Sequence, residues 1–288
     1  MHPLLQELMA SGPVLTDGAW GTQLQEKGLT PGEFPDAWNL SNPTKVEEVA
    51  RAYVSAGSKV ILTNTFGSNA IRLREIGMEG HLAEINRAGV RISRQAAGRE
   101  SRVFASIGPT GKLLMNGDVT EQEMTDAFDA QARALAEAGA DALVVETMSD
   151  PDEARLAVAA ARKTGLPIVA CMVFDSGRDK DRTMMGNTPE QVAQILTDAG
   201  ADVIGANCGQ GISGFPAICR RLHSATDKPI WIKSNAGLPE MIHGKAHYAT
   251  SPEEFAKWVP ELVRAGAAFI GGCCGTSPAF IAAARRQL

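Results

Sequence analysis

Short apolar runs alternate with longer stretches rich in alanine, glutamate, arginine and leucine along the whole chain. The short runs carry many β-branched residues and predict buried strands, whereas the longer stretches predict helices. Capping residues followed by proline, as in Asp150-Pro151 and Thr188-Pro189, mark several helix starts. The pattern predicts eight strands, at 14–17, 60–64, 103–107, 142–146, 168–173, 203–206, 230–233 and 268–271, and helices that include 44–56, 82–97, 121–138, 151–163, 189–199 and 252–265.

This regular alternation predicts an α/β fold, a single parallel (β/α)8 TIM barrel that comprises residues 1–288. Eight strands in 288 residues leave about 36 residues for each βα unit, and no linker divides the chain. An open doubly wound sheet is the alternative, but Asp17-Gly18-Ala19-Trp20-Gly21 lacks the spacing of a dinucleotide-binding loop. Because barrel enzymes react at the carboxyl ends of their strands, we expect the functional residues there.

Charge and cysteine content narrow the class of ligand and the compartment. The formal net charge is −5 and no basic block is present, which argues against nucleic acid and anionic membranes and favours a small soluble ligand. Residues 1–13 lack the cationic start and the apolar stretch of a secretory signal. Five cysteines, an odd number, argue against a disulfide framework, so we expect reduced thiols in the cytoplasm.

Polar residues stand at the ends of the predicted strands. Asp17 ends the first strand and Glu146 ends the fourth, and this pair of carboxylates could hold an ammonium group. Such a set suits an amino acid with a reactive side chain. The other polar residues at strand ends are Asn64, Thr65, Ser106, Thr147, Asp175, Asn207, Cys208, Ser234, Asn235, Cys273 and Cys274.

Three of the five cysteines form a candidate metal site. Cys208 follows the sixth strand, and Cys273 and Cys274 follow the eighth among glycines that let adjacent sulfurs turn inward. Thiolates favour zinc, and three protein ligands with an open fourth position are typical of catalytic zinc. The alternative is that these three cysteines are core residues, which is what we predict for Cys171 and Cys219.

Two further segments carry chemistry-bearing residues without a catalytic pattern. His243 and His247 are four residues apart, but they lie in a loop with glycine and proline and lack the glutamate of a zinc-protease helix. We expect a solvated loop or a substrate lid. The charge-dense segment 178–182 predicts a solvated loop after the fifth strand.

Taken together, these motifs resemble the homocysteine S-methyltransferase family along nearly the whole chain. Within that family the chain is most similar to the homocysteine-binding module of cobalamin-dependent methionine synthases, through Trp38-Asn39-Leu40-Ser41 and 52–57. The motifs that carry the family resemblance are Asp17-Gly18-Ala19, Thr63-Asn64-Thr65-Phe66, Glu146-Thr147, Asn207-Cys208-Gly209, Ser234-Asn235-Ala236-Gly237 and Gly272-Cys273-Cys274-Gly275-Thr276.

The resemblance implies a zinc-dependent transfer of a methyl group to the thiol of homocysteine, giving methionine. Cys208, Cys273 and Cys274 would hold the zinc, and Asp17 and Glu146 would hold the substrate ammonium. The remaining candidates have orienting roles: Asn207, Asn235, Thr65 and Ser234.

The methyl donor is left open by the sequence. The chain ends at Leu288 without the folate-binding and corrinoid-binding modules of methionine synthases, so a separate methylcobalamin (corrinoid) protein could dock at the barrel mouth. A betaine, a sulfonium compound or a folate could also serve. The segment after Phe66 lacks the tyrosine-bearing loop of the betaine-using relatives, and Trp20 could wall the pocket. Exposed apolar loops would suit a partner protein or a homo-oligomer.

Two other classes of function remain as alternatives. Gly271, Gly272 and Gly275 could offer backbone amides to a phosphate, as in other barrel enzymes, although that function leaves two cysteines unused. A non-catalytic zinc or thiol redox sensor would bind metal without turning over any thiol.

Overall fold

A computed structural model describes residues 1–242 and 245–288 of the chain. Eight parallel strands form one sheet in the order β1-β10-β7-β6-β5-β4-β3-β2, and a parallel bridge between Thr16 and Val60 joins its two edges. The predicted (β/α)8 barrel is therefore confirmed. Its strands are β1 Val14–Leu15, β2 Val60–Ile61, β3 Arg102–Ile107, β4 Ala142–Met148, β5 Ile168–Met172, β6 Val203–Cys208, β7 Ile230–Ser234 and β10 Ala267–Gly272.

The first two strands are shorter than predicted. The Asp17 carbonyl still accepts the Gly272 N–H at 3.0 Å, but beyond Ile61 the Leu62 N–H donates to a carboxylate oxygen of Asp17 at 2.7 Å and not to a strand carbonyl. After β7 the chain forms an antiparallel hairpin of β8 Pro239–Ile242 and β9 Lys245–Tyr248 in place of the predicted loop. His247 is exposed on that hairpin, and His243 lies outside the described residues.

Helices cover the outside of the barrel between successive strands. The predicted helix 252–265 is divided at Lys257-Trp258, because Pro260 cannot donate a hydrogen bond to the preceding turn. None of the described helices has the length and hydropathy that crossing a bilayer requires. The helices are α1 Pro3–Met9, α2 Gly21–Glu26, α3 Trp38–Ser41, α4 Pro43–Ala56, α5 Ala70–Glu75, α6 Leu82–Ala97, α7 Glu121–Glu137, α8 Pro151–Arg162, α9 Pro189–Ala199, α10 Phe215–Ser224, α11 Pro252–Ala256, α12 Val259–Arg264 and α13 Pro278–Arg285.

The barrel interior is filled by its own apolar cluster. The ring of Trp231 stacks on Phe104, with centroids 6.1 Å apart, and lies 5.2 Å from Phe269. Leu5 of α1 belongs to the same buried cluster, so the first helix covers the amino-terminal end of the barrel. Each such fully buried side chain contributes about 1.5–3 kcal/mol to the stability.

The same interior becomes polar toward the carboxyl ends of the strands. Side chains on one face of a strand recur every second residue. Two residues beyond Phe104, Val144 and Trp231 stand three buried polar residues: Ser106, Glu146 and Lys233. The apolar floor therefore excludes water from one side of a polar site that opens at the other.

Candidate functional site

The fold brings the three candidate metal ligands together. Cys208 is the last residue of β6, and Cys273 and Cys274 directly follow β10. Both strands pair with β7, and the three sulfur atoms lie within 4.8 Å of one another. In contrast, Cys171 and Cys219 are buried in the two apolar clusters, as predicted.

The end of β7 connects the two cysteine segments. The Cys273 N–H donates to the Ser234 carbonyl at 2.7 Å, and the Ala236 N–H donates to the Cys274 carbonyl at 3.0 Å. The Asn235 side chain donates to the Gly209 carbonyl at 2.8 Å and approaches the Cys208 sulfur at 3.5 Å. These bonds hold the sulfurs in place from the strand between them.

Two glycines beside the cysteines allow close approach of the backbone. A Cβ at Gly272 would lie 2.3 Å from the Thr276 hydroxyl. Gly275 has a φ of +79°, and a Cβ there would lie 2.2 Å from the ring of Tyr248. The hairpin thus places an aromatic side chain against the cysteine turn, a contact that the sequence pattern did not predict.

In the metal-free protein the three thiols differ in pKa. Hydrogen bonds from Cys273 and Cys274 lower the pKa of Cys208 to about 3. The pKa of Cys274 rises to about 12, chiefly because its thiol donates to Cys208, and that of Cys273 rises for the same reason. In the protein alone one thiolate is therefore stabilised by two thiols, and three thiolates so close together need a positive charge.

The donor set fits zinc. Three sulfur ligands and no oxygen ligand make a soft site, and thiolate-rich sites select zinc among the common divalent ions. Within the described part of the chain, two buried polar atoms close to these cysteines in sequence have no hydrogen-bond partner, Ser234 Oγ and Asn235 Oδ1.

A bulge in β4 positions Glu146. The register of β4 against β5 shifts between Val145 and Met148, and Thr147 has a φ of 61°, which is rare for a β-branched residue. The Asn207 side chain holds this conformation, accepting the Thr147 N–H at 2.8 Å and donating to its hydroxyl at 2.7 Å. The bulge leaves the Glu146 carboxylate at the wall of the cavity described below.

Glu146 is a buried carboxylate with neutral hydrogen-bond partners. It accepts from the Ser106 hydroxyl at 2.5 Å, and the Asn207 amide lies 3.4 Å from its other oxygen. Burial raises its pKa, although the Lys233 charge and the Ser106 hydrogen bond act in the opposite direction. The second oxygen therefore retains capacity for another donor.

Asp17 has all of its partners inside the protein. One oxygen accepts from the Leu62 N–H at 2.7 Å and the Trp20 indole N–H at 2.8 Å. The other oxygen pairs with the ammonium of Lys233, and both residues are almost completely buried. Burial lowers the pKa of Lys233, but the charges of Asp17 and Glu146 outweigh it, and the net shift is upward.

Lys233 is the functional residue that the sequence analysis missed. It lies two residues after Trp231 on β7, so its inward orientation follows from the strand period, and that period was the available signal. The sequence analysis placed Lys233 at the end of the seventh predicted strand and gave it no role.

Thr65 and Ser234, which were predicted to have orienting roles, are buried behind the site. Thr65 is fully buried; its hydroxyl donates to the Ser106 carbonyl at 2.7 Å and contacts the Thr63 hydroxyl at 2.6 Å. Ser234 is also buried, next to the strand positions of Cys208 and Gly272. Neither residue lines the cavity.

A cavity of about 520 Å³ opens above the cysteines and the carboxylates. The three cysteines, Glu146 and Lys233 line it. Aromatic side chains from the first two loops line it as well: Trp20, Phe34 and Phe66. This volume lies in the usual range for sites that hold small molecules.

The glycines at the end of β10 offer little to a phosphate. The Gly272 N–H donates to the Asp17 carbonyl at 3.0 Å, and the Thr276 N–H donates to the Cys273 carbonyl at 3.1 Å. The Cys273 N–H already donates to the Ser234 carbonyl.

The charge-dense segment 178–182 is largely exposed, as expected for a solvated loop, and Asp181 forms an ion pair with Arg221.

Comparison with known proteins identifies the family. Residues 14–288 match the family model described as homocysteine S-methyltransferase. The chain belongs to the homocysteine S-methyltransferase family. The family resemblance, to a family of methyltransferases, is thereby confirmed.

Curated relatives of the chain are longer proteins. It is 29% identical over 296 residues to the methionine synthase of Mycobacterium tuberculosis (strain ATCC 25618 / H37Rv), covering 96% of the chain and 25% of the relative. The methionine synthase of Mycobacterium leprae (strain TN) is 28% identical over 293 residues, covering 95% of the chain and 24% of the relative. The chain thus spans about a quarter of the length of these relatives.

Solved structures share the fold over the whole chain. The metallated form of the homocysteine methyltransferase MmuM from Escherichia coli superposes with a TM-score of 0.82 at 24% identity, covering 99% of both chains. The oxidized form of the same protein gives 0.83 at 23% identity, covering 100% of both chains. At this identity the likeness demonstrates a common fold.

Proposed function

We propose that this methyltransferase moves a methyl group from an activated donor to the thiol of homocysteine, giving methionine, and that its cofactor is zinc. The observation that carries the proposal is the cluster of three sulfurs, within 4.8 Å of one another, at the wall of the cavity that also holds Glu146. A thiol-binding metal and an ammonium-binding carboxylate in one pocket match the two ends of homocysteine.

Cys208, Cys273 and Cys274 would hold the metal. When bound, zinc lowers the pKa of a thiol that joins its coordination shell and so keeps that sulfur as a nucleophile at neutral pH. The metallated form of E. coli MmuM supports a metal in this chain. Asn235 supports the arrangement by holding the Cys208 segment, and Asn207 by approaching the Cys273 sulfur at 3.9 Å.

The protein orients homocysteine by binding its ammonium group, at the opposite end from the thiol. Glu146 accepts hydrogen bonds from the substrate ammonium, while Asp17 acts through Lys233. Thr65 and Ser234 support the walls, as their burial allows. The acceptor sulfur then attacks the donor methyl group in line: a sulfur–carbon bond forms as the bond from methyl to the leaving group breaks, and the leaving group keeps that electron pair.

The donor enters from the aromatic side of the cavity, past Trp20, Phe34 and Phe66. A methylcobalamin carried by a separate corrinoid protein is one candidate, supported by the similarity to methionine synthases. Small donors, namely a betaine, a sulfonium compound or a folate, are the others. Five free cysteines, three of them at the site, suit a reducing cytoplasm, and the exposed Phe66 and Leu238 suit a partner or a second copy of the chain.

Methyl transfer to homocysteine tests the proposal directly. Reduced, zinc-loaded protein is incubated with homocysteine and each donor class in turn, and methionine is quantified by mass spectrometry. Cys208→Ser should abolish product, whereas Cys171→Ala, a change at a buried cysteine away from the cluster, should retain it. Metal binding without product from any donor would favour the redox-sensor alternative and contradict the proposed reaction.

A further inference from the structure

Three buried charges lie where the acceptor ammonium is proposed to bind. Asp17 and Lys233 form an ion pair, and both are almost fully removed from solvent. Glu146 is 8% exposed and lines the cavity. Among the described residues, Lys233 has Asp17 as its one carboxylate partner within ion-pair distance.

The carboxylates of Asp17 and Glu146 differ in how accessible they are to a substrate ammonium. Both oxygens of Asp17 are occupied, one by the Leu62 N–H and the Trp20 indole, the other by Lys233. Glu146 has only neutral partners, the Ser106 hydroxyl at 2.5 Å and the Asn207 amide at 3.4 Å. Asp17 is also fully buried and does not line the cavity, whereas Glu146 lines it with an oxygen whose one partner is the Asn207 amide at 3.4 Å.

The charges of these residues also indicate that Glu146, and not Asp17, binds the ammonium. The ion pair of Asp17 and Lys233 is neutral, so Glu146 contributes the one negative charge of this group that remains uncompensated. Without Lys233, two carboxylates would share a buried site, and the repulsion between them would favour protonation of one. With Lys233 present, this group of three side chains carries one net negative charge, which one substrate ammonium can neutralise.

We propose that Lys233 is a positioning residue that sets acceptor specificity: by neutralising Asp17, it leaves Glu146 as the single carboxylate for the acceptor ammonium. The pocket then selects a thiol that carries one ammonium group over the same thiol without it. This inference rests on the proposed function, because it assumes that the acceptor thiol binds at the cysteines.

Three variants separate a charge-balancing role from a structural one. In Asp17→Asn, Lys233 loses its partner and turns to Glu146, which neutralises the pocket and removes the preference for an ammonium. Adding Lys233→Met removes that cation and restores the single free charge of Glu146. Glu146→Gln removes the charge itself. Lys233→Met alone is uninformative, because it leaves Asp17 buried without its counter-ion.

The measurement is the affinity of the zinc-loaded protein for two probes by titration calorimetry. One probe is homocysteine and the other is 4-sulfanylbutanoic acid, which has the same chain without the amino group. An ionic hydrogen bond in a buried site predicts a preference for homocysteine on the order of 10- to 100-fold in the wild type. Asp17→Asn and Glu146→Gln should bind the two probes within about threefold of each other.

The double variant decides the outcome. The proposal expects Asp17→Asn/Lys233→Met to regain a preference of about tenfold or more, which a merely structural role would not restore. A double variant that folds and binds zinc yet has no preference would overturn it, and so would Asp17→Asn with wild-type preference. Should Asp17→Asn fail to fold, the double variant compared with the wild type is still decisive. Wild-type protein that ignores both probes would instead refute the proposed function.

Discussion

Replacing Asn207 with alanine should destabilise the protein, because this side chain holds the bulge of β4 in place. Asn207 makes two hydrogen bonds to Thr147, at 2.8 Å to its N–H and 2.7 Å to its hydroxyl. Each such bond contributes about 1 kcal/mol, and an unsatisfied buried N–H costs about 1–3 kcal/mol. The φ of 61° at Thr147 adds strain of about 1–3 kcal/mol that these bonds now offset.

We therefore expect Asn207→Ala to lower the free energy of unfolding by about 2–4 kcal/mol. The assay is urea denaturation of the reduced, metal-free protein, followed by circular dichroism and intrinsic fluorescence together. The midpoint should fall with an unchanged slope, because the surface exposed on unfolding is the same.

A second background isolates the bulge from other effects of the substitution. Glycine adopts a φ near 61° without strain and has no hydroxyl to bond, so Thr147→Gly removes two of the reasons for which Asn207 is needed. In that background Asn207→Ala should cost at least about 1 kcal/mol less than in the wild type. An Asn207→Ala cost below about 0.5 kcal/mol, or one equal in both backgrounds, would refute this reasoning.

Two further predictions concern buried positions outside the reacting groups. Gly205→Ala should lower the unfolding free energy by about 1–3 kcal/mol or more, since its Cβ would lie 2.4 Å from the carbonyl of Trp231; a thermal melt that matches the wild type would contradict this. Burial raises the pKa of Asp36 to about 6, so the folded protein keeps a proton that the unfolded chain releases. Stability should fall as the pH rises from about 4 to 6, and Asp36→Asn should flatten that dependence in urea titrations at several pH values; an unchanged slope would refute it.

The fold could be predicted well from the sequence because the period of the apolar residues is strong. All eight predicted strands overlap observed ones, and the capping residues Thr188 and Ser251 begin helices as expected. The prediction of one helix over 252–265 was wrong, because two helices form there, with a break before Pro260. The spacing of the apolar residues is helical throughout the segment, but proline has no N–H to donate to the preceding turn.

The site could be predicted only as a collection of side chains. The order of the strands implies that Cys208 and the cysteine pair converge, because both follow strands that neighbour β7. The hydrogen bonds within the site cannot be predicted from the order of the strands. The pairing of Asp17 with Lys233 and the left-handed Thr147 depend on how loops and a bulge turn individual groups, and neighbouring residues in the sequence carry no signal of either.

The contact of Tyr248 with the cysteine turn could not be predicted from the sequence either. The glycine and proline of segment 237–244 predicted an irregular loop, but β8 begins within that segment at Pro239 and pairs with β9. The close approach of Gly275 to the Tyr248 ring then needs a residue without a side chain. Tertiary packing of this kind selects a conformation that local sequence leaves open.

The central claim is that three cysteines hold a zinc ion that activates a thiol. The most direct test is elemental analysis of the reduced protein, wild type and Cys208→Ser, combined with a homocysteine titration that follows proton release. The account predicts about one zinc per chain, lost in the variant, and a proton released as homocysteine binds, because its thiol is deprotonated. Folded wild-type protein that holds no zinc after reconstitution and releases no proton with homocysteine would contradict it.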